Sequence, residues 1–122
     1  MIDFNKLYYS FHYALQGIKH ALKNDQNLRI HFVVATLVII ASLIFHVNPF
    51  EMGILGIMIL LVITAEMINT TIEEMVNLIT TEHRKEAKTA KDVAAGMVLL
   101  IAIGSVIVGF LIFTPYIEKI FR

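Results

Sequence analysis

Three long apolar runs dominate this chain, and most charged residues lie outside them. The runs cover residues 28–47, 50–78 and 93–113. A helix that crosses a bilayer needs about 20 mostly apolar residues, and each run meets this length. The pattern predicts an all-α protein with three membrane helices, the second long enough to emerge into water. Thr114 and Pro115 are expected to end the third.

Residues 2–24 show a different pattern, in which apolar side chains recur at every third or fourth position. These side chains are Phe4, Leu7, Phe11, Leu15, Ile18 and Leu22. The pattern is typical of an amphipathic helix that lies in the membrane interface with its basic side toward the lipid headgroups. A surface helix of a soluble domain is the alternative interpretation.

Most basic residues lie on one side of the predicted bundle, and the exceptions are Lys119 and Arg122 in the C-terminal tail. The others precede the first run (Lys6, Lys19, Lys23, Arg29) or separate the second from the third (Arg84, Lys85, Lys88, Lys91). The loop at residues 46–51 has no lysine or arginine. Because basic segments stay on the cytoplasmic side, we expect a multi-pass protein of the cell membrane with a cytoplasmic N-terminus and an external C-terminus.

Composition supports a membrane protein. Hydrophobic residues make up 57% of the 122 residues and the mean hydropathy is +0.74, whereas soluble domains contain about 45–50% apolar residues. The chain has no cysteine, which excludes disulfides, thiolate zinc sites and a cysteine nucleophile. It lacks a basic stripe with interleaved aromatics, so we expect no nucleic-acid partner. We expect a single domain, residues 1–122, without a cleavable signal peptide.

A polar stripe lies in the second half of the run at residues 50–78. Glu66, Asn69, Glu73 and Asn77 are separated by three, four and four positions, which places them on one face of a helix. An ionisable side chain at the edge of a membrane is costly, so Glu66 is a candidate functional residue. Its alternative role is a structural contact with another helix. For Asn69, an interhelical hydrogen bond is favoured over a role as a ligand.

Acidic side chains near one predicted membrane face suggest a site for phosphoryl transfer. Carboxylates bind Mg²⁺ together with substrate phosphates, and neighbouring basic groups neutralise phosphate charge, as phosphoryl transfer requires. The chain has neither a P-loop nor a protein-kinase signature, so a nucleotide site here is of another kind. The alternative of a different class is a non-enzymatic membrane assembly module or an ion pathway lined by Glu66 and Glu73.

The motif AEMINTTIEEMVN at residues 65–77 resembles the E-x-x-N-[ST]-[AS]-I-E signature of the small prokaryotic diacylglycerol kinases. It is followed at the usual distance by TAKDVAAGMVLL, residues 89–100. The upstream patterns A-x-x-G-I, from Ala14 to Ile18, and N-x-R-I-H, from Asn27 to His31, also fit the family. The similarity extends over nearly the whole chain and is greatest to the Gram-positive branch, which includes undecaprenol kinases.

The resemblance implies roles for individual residues. Glu66 corresponds to the catalytic carboxylate near the lipid hydroxyl, and Asn69 to the active-site asparagine. Asp25 and Glu73 correspond to carboxylates that bind the nucleotide and its Mg²⁺, although the family usually has glutamate at the first position. The other implied nucleotide-binding residues are Lys6, Tyr13, Glu82, Lys91 and Asp92.

The resemblance also implies a reaction and an assembly. We expect ATP to phosphorylate a membrane lipid alcohol, with undecaprenol as the first candidate and diacylglycerol as the alternative. Family members are homotrimers with composite sites between subunits, so a homotrimer is expected here.

Overall fold

The computed structural model describes all 122 residues and contains four helices and no strand. Helix α1 spans Phe4–Asn24, α2 Gln26–Ile44, α3 Pro49–Ile79 and α4 Lys85–Ile120. The last three are each long and apolar enough to cross a membrane. The prediction of an all-α protein with three such helices is therefore confirmed.

Side-chain caps fix where the first three helices begin. Asp3 accepts hydrogen bonds from the backbone N–H groups at the start of α1, Asp25 does the same for α2, and Asn48 for α3. These caps satisfy amide donors that have no partner inside the helix. Pro49 occupies the first turn of α3, where its missing N–H costs nothing.

The turn after α2 is tight. His46 has a left-handed backbone, with φ of 53°, and Val47 N–H bonds back to the carbonyl of Ser42 at 3.0 Å. His46 N–H bonds to the Leu43 carbonyl at 3.4 Å, which completes a Schellman-type helix end. α2 therefore stops at Ile44, before the end of its apolar run.

Helix α4 is longer than the third apolar run. It begins at Lys85, inside the segment expected to be a polar loop, and continues through Pro115 to Ile120. The prediction that Thr114 and Pro115 end the helix is wrong. A proline inside a helix removes one backbone donor. The turns of α4 around Pro115 are nevertheless held in place, because Tyr116 forms hydrogen bonds with Asn48 and Glu51 at the start of α3.

The helices pack unequally. α3 lies against α4 along much of its length, α2 lies against α3, and α1 contacts α2 near the corner between them. Only 13 of 122 residues are buried, so most apolar side chains are left for lipid or for other chains to cover. Whether α1 lies in the membrane interface stays a prediction.

Candidate active site

Asp25 lies at the corner between α1 and α2, and its side chain also contacts α3. Its Oδ1 accepts hydrogen bonds from the N–H groups of Asn27, at 2.9 Å, and Leu28, at 3.3 Å. Its Oδ2 accepts a hydrogen bond of 2.6 Å from the hydroxyl of Thr70 on α3. One carboxylate therefore caps a helix and fixes its position against the middle of another.

Arg29 supports the same corner from the next turn of α2. Its Nη1 donates to the carbonyls of Leu22 and Lys23, each at 2.8 Å. These carbonyls belong to the last turn of α1, where no intrahelical donor is available. The angle between α1 and α2 is thus fixed by polar contacts at both Asp25 and Arg29.

Glu66 lies buried directly beside this corner. Only 2% of the residue is exposed, and its carboxyl group is next to the side chains of Asp25 and Asn27. The Nε2 atom of His31, on α2, is 3.7 Å from Glu66 Oε2. A buried carboxyl group with three polar neighbours at the start of α2 is a candidate functional group.

Asn69 and Glu73 continue the polar face of α3 from Glu66 toward water. Asn69 is 6% exposed, and its Nδ2 donates to Glu73 Oε1 at 3.5 Å. The Oδ1 atom of Asn69 is buried and has no hydrogen-bond partner. Glu73 and Asn77 are exposed, so the predicted stripe runs from the bundle interior to its surface.

The structure does not contain a group of three or more acidic or histidine side chains arranged around a metal ion. The donors present nevertheless suit Mg²⁺, which keeps several water and phosphate ligands and needs one or two protein carboxylates. Asp25 and Glu73 offer such oxygens, and the unpaired Oδ1 of Asn69 is an acceptor without a donor.

Lys91 is connected to the polar face of α3. Its Nζ donates to Asn77 Oδ1 at 2.7 Å. Asp92 forms an ion pair with Lys88 and Glu82 forms one with Arg84, both exposed. A groove of about 590 Å³ is lined by these two carboxylates and by four basic side chains, Arg84, Lys85, Lys88 and Lys91. Positive charge at the water-facing end of the polar face suits a phosphate-bearing substrate.

Lys6 and Tyr13 are not brought to this site within one chain. Both lie exposed on α1, and neither side chain forms a hydrogen bond or ion pair with the polar face of α3. Tyr13 stacks on Tyr9 in its own helix, with ring centroids 6.3 Å apart.

Thr70 and His31 lie within the matched motifs, but the sequence assigned neither of them a role at the site. Thr70 lies four positions after Glu66, so its helical spacing could have included it in the stripe. His31 is partly buried and differs from the other histidines in facing a carboxyl group. Its partner is 35 positions away in sequence, which no local pattern reveals.

An apolar groove of about 370 Å³ runs along α2, α3 and α4 below the carboxyl groups. It extends from His31 and Ile63, near Glu66, to Leu55 and Phe113, toward the opposite end of the bundle. Hydrophobic residues form 12 of its 15 lining positions, so the groove suits a hydrocarbon chain and not a charged headgroup.

Comparison with known proteins identifies the family. The sequence model described as prokaryotic diacylglycerol kinase matches residues 12–113. The chain belongs to this family. The resemblance in the motif at residues 65–77 is therefore confirmed, and the chain is a multi-pass membrane lipid kinase that uses ATP.

Three relatives show how far the similarity extends. The chain is 36% identical to an undecaprenol kinase of Bacillus subtilis, over 93% of this chain and 92% of that protein. It is 39% identical to a diacylglycerol kinase of Synechocystis, over 87% of this chain and 61% of that protein. A diacylglycerol kinase of Haemophilus influenzae is 31% identical, over 72% and 75% of the two chains.

Membership in a kinase family favours an enzyme over the membrane assembly module or ion pathway. It leaves the roles of single residues as hypotheses. The structure adds that Asp25, Glu66, Asn69 and Glu73 lie together, with Lys91 connected to the same face through Asn77.

Proposed function

We propose that this protein transfers the γ-phosphate of ATP to the hydroxyl group of undecaprenol and releases undecaprenyl phosphate and ADP. The observation that carries the proposal is the position of Glu66. Its buried carboxyl group lies where the apolar groove meets the polar face that leads to water. A lipid alcohol and a soluble nucleotide can both approach this point, one from the membrane side and the other from the aqueous side.

The choice of undecaprenol rests on similarity. The Bacillus subtilis relative named for this lipid matches nearly the full length of both chains. Diacylglycerol is the second candidate, because the Synechocystis and Haemophilus relatives are named for it.

In this proposal Glu66 is the base. It accepts the proton of the lipid hydroxyl as the alcohol oxygen forms a bond to the γ-phosphorus of ATP. General bases act at hydrogen-bond distance from the proton that they remove. Asn69, one turn away and buried, holds the reacting groups in place through its free Oδ1.

Asp25 and Glu73 would hold Mg²⁺, which neutralises charge on the ATP phosphates during phosphoryl transfer. Support comes from the donor chemistry of these two carboxylates and from the unpaired oxygen of Asn69 beside Glu73. Asp25 is held in place by Thr70, so it presents its oxygens to the site from a fixed position.

The remaining nucleotide contacts are assigned to Lys6, Tyr13, Glu82, Lys91 and Asp92. Lys91 has the most direct support, since its ammonium group lies against Asn77 on the polar face of α3. Lys6 and Tyr13 are exposed on α1, and a site between neighbouring subunits of a homotrimer would give them a role. The basic residues at this end favour a cytoplasmic N-terminus and an external C-terminus.

A phosphorylation assay with two lipids tests the proposal. Purified protein in mixed micelles receives radiolabelled ATP, Mg²⁺ and either undecaprenol or a diacylglycerol, and the lipid fraction is extracted and counted. We expect label in undecaprenol at the higher rate. Label only in diacylglycerol would replace the proposed acceptor, and label in neither lipid from folded protein would contradict the proposed reaction.

A further inference from the structure

His31 is the one side chain of the apolar groove that offers a free polar atom. Of the groove's other non-hydrophobic positions, Gly109 has no side chain and Ser105 donates its hydroxyl to the carbonyl of Ala102 at 2.7 Å. Neither ring nitrogen of His31 forms a hydrogen bond within the chain. Its Nε2 instead faces the carboxyl group of Glu66 at the end of the groove.

The distance between His31 Nε2 and Glu66 Oε2 suits a third polar atom that hydrogen-bonds to both. At 3.7 Å, His31 Nε2 and Glu66 Oε2 are too far apart for a good direct hydrogen bond, since N–H···O pairs are usually 2.7–3.2 Å, with the most frequent value at about 2.9 Å. An oxygen atom about 2.8 Å from both would complete a triangle with them. A hydroxyl group there accepts a hydrogen bond from the imidazole N–H and donates its own proton to the carboxylate.

The groove determines what such a hydroxyl can be attached to. Apolar side chains such as Ile30, Val34 and Ile63 line it next to His31. If a hydroxyl group is held between His31 and Glu66, the hydrocarbon chain attached to it can lie in this groove. No polar group is then left unpaired. This arrangement matches an alcohol at the end of a long apolar chain.

We propose that His31 is a substrate-binding residue that orients the hydroxyl group of the lipid alcohol toward Glu66. The inference rests on the proposed function and adds a residue to it. In the reaction, the hydroxyl proton passes to Glu66, the alcohol oxygen bonds to the γ-phosphorus of ATP, and the bond from that phosphorus to the β,γ-bridging oxygen breaks. ADP leaves with the electron pair. His31 keeps its proton throughout and holds the oxygen in line.

The test compares His31→Leu with His31→Gln. Leucine fills the groove but cannot donate a hydrogen bond, whereas the glutamine amide can. For His31→Leu we expect kcat/KM for undecaprenol to fall about tenfold to 100-fold, the effect of losing one hydrogen bond to a reacting group. The KM for ATP should stay at the wild-type value. His31→Gln should recover a large part of the lost activity.

His46→Asn is the matched control. It removes a histidine at the opposite end of the bundle, and asparagine tolerates the left-handed backbone found there. We expect its kinetic constants to equal those of the wild type. His31→Ala provides a second variant without a donor if the leucine protein does not fold.

Two outcomes would overturn the assignment. Wild-type kcat/KM for the lipid in His31→Leu or His31→Ala would show that no hydrogen bond to the alcohol is lost. Equal defects in the leucine and glutamine variants, with the KM for ATP raised as well, would show that His31 only maintains the structure. Both outcomes leave the proposed function intact, since that is tested separately by labelling of undecaprenol with the wild-type protein.

Discussion

At the scale of single residues, Asp25 combines a structural role with a proposed role in binding Mg²⁺. It caps α2 through Oδ1 and accepts the hydroxyl of Thr70 through Oδ2, while it is also a proposed Mg²⁺ ligand. A carboxylate whose position is fixed by other contacts loses little freedom when it binds a metal ion. Thr70 therefore supports the proposed Mg²⁺ site without being a ligand of the metal ion.

Thr70→Val tests this coupling. Valine keeps the shape of threonine but cannot donate to Asp25, so a hydrogen bond to a charged group is lost. We expect a loss of about 1–3 kcal/mol in the free energy of unfolding and a half-saturating Mg²⁺ concentration about tenfold higher. Denaturant unfolding in detergent and Mg²⁺ titration of lipid phosphorylation measure the two effects.

Thr71→Val is the control for that experiment. The Thr71 hydroxyl bonds only to the Met67 carbonyl of its own helix, so this variant should keep the wild-type Mg²⁺ dependence. If Thr70→Val also keeps it, Asp25 does not need Thr70 to bind the metal.

At the scale of secondary-structure elements, a polar contact joins α3 and α4 at the end of the bundle opposite Glu66. The hydroxyl of Tyr116 on α4 donates to Glu51 Oε2 at 2.5 Å and accepts the N–H of Asn48 at 3.1 Å. This contact joins the start of α3 to the last turns of α4. It lies beside the packed side chains of Val47, Leu55 and Ile112.

Tyr116→Phe separates stability from catalysis. The variant leaves the N–H of Asn48 and the carboxylate of Glu51 without this partner, so the free energy of unfolding should fall by about 1 kcal/mol. The rate of lipid phosphorylation should not change, because Glu51 and Glu66 are about 22 Å apart along α3. Tyr8→Phe is the control, since its exposed hydroxyl forms no hydrogen bond. A large loss of activity at unchanged stability in Tyr116→Phe would contradict this division.

At the scale of the whole molecule, the apolar runs were enough to predict the helical architecture. The recurrence of apolar side chains in residues 2–24 placed α1. The apolar runs placed three membrane-length helices, because bilayer thickness sets the length of a spanning helix. They did not predict how far α4 extends. Its C-terminal turns are held by the contact between Tyr116 and Glu51, which joins residues distant in sequence.

The same limit applies to the site. Helical spacing placed Glu66, Asn69 and Glu73 on one face, and the structure shows that face running from the interior to the surface. The contacts of Thr70 with Asp25 and of His31 with Glu66 depend on how α2 packs against α3. Local sequence patterns contain no information about that packing.

The homotrimer is a prediction for the whole assembly. A single chain leaves the apolar side chains of α1, including Phe4, Phe11 and Leu15, exposed, and it does not bring Lys6 or Tyr13 to the polar face. Native mass spectrometry of protein released from detergent or nanodiscs should give three copies of the 13.8 kDa chain. The mass of a single chain under conditions that preserve activity would contradict a site shared between subunits.

We propose that the lipid alcohol and ATP react at Glu66. About 10 Å of helix rise separates Glu66 from Glu73, so one polar face can serve a substrate in the membrane and another in water. Glu74 lies on the same helix but off this face and is exposed, which makes Glu74→Gln the matched control for Glu66→Gln.

The decisive measurement is transfer of radiolabelled phosphate to undecaprenol by these two variants, with nucleotide binding measured in parallel. We expect Glu66→Gln to lose at least about 100-fold in turnover, because a glutamine cannot accept the proton, while it still binds ATP. Glu74→Gln should match the wild type. Near wild-type turnover in Glu66→Gln would contradict the account.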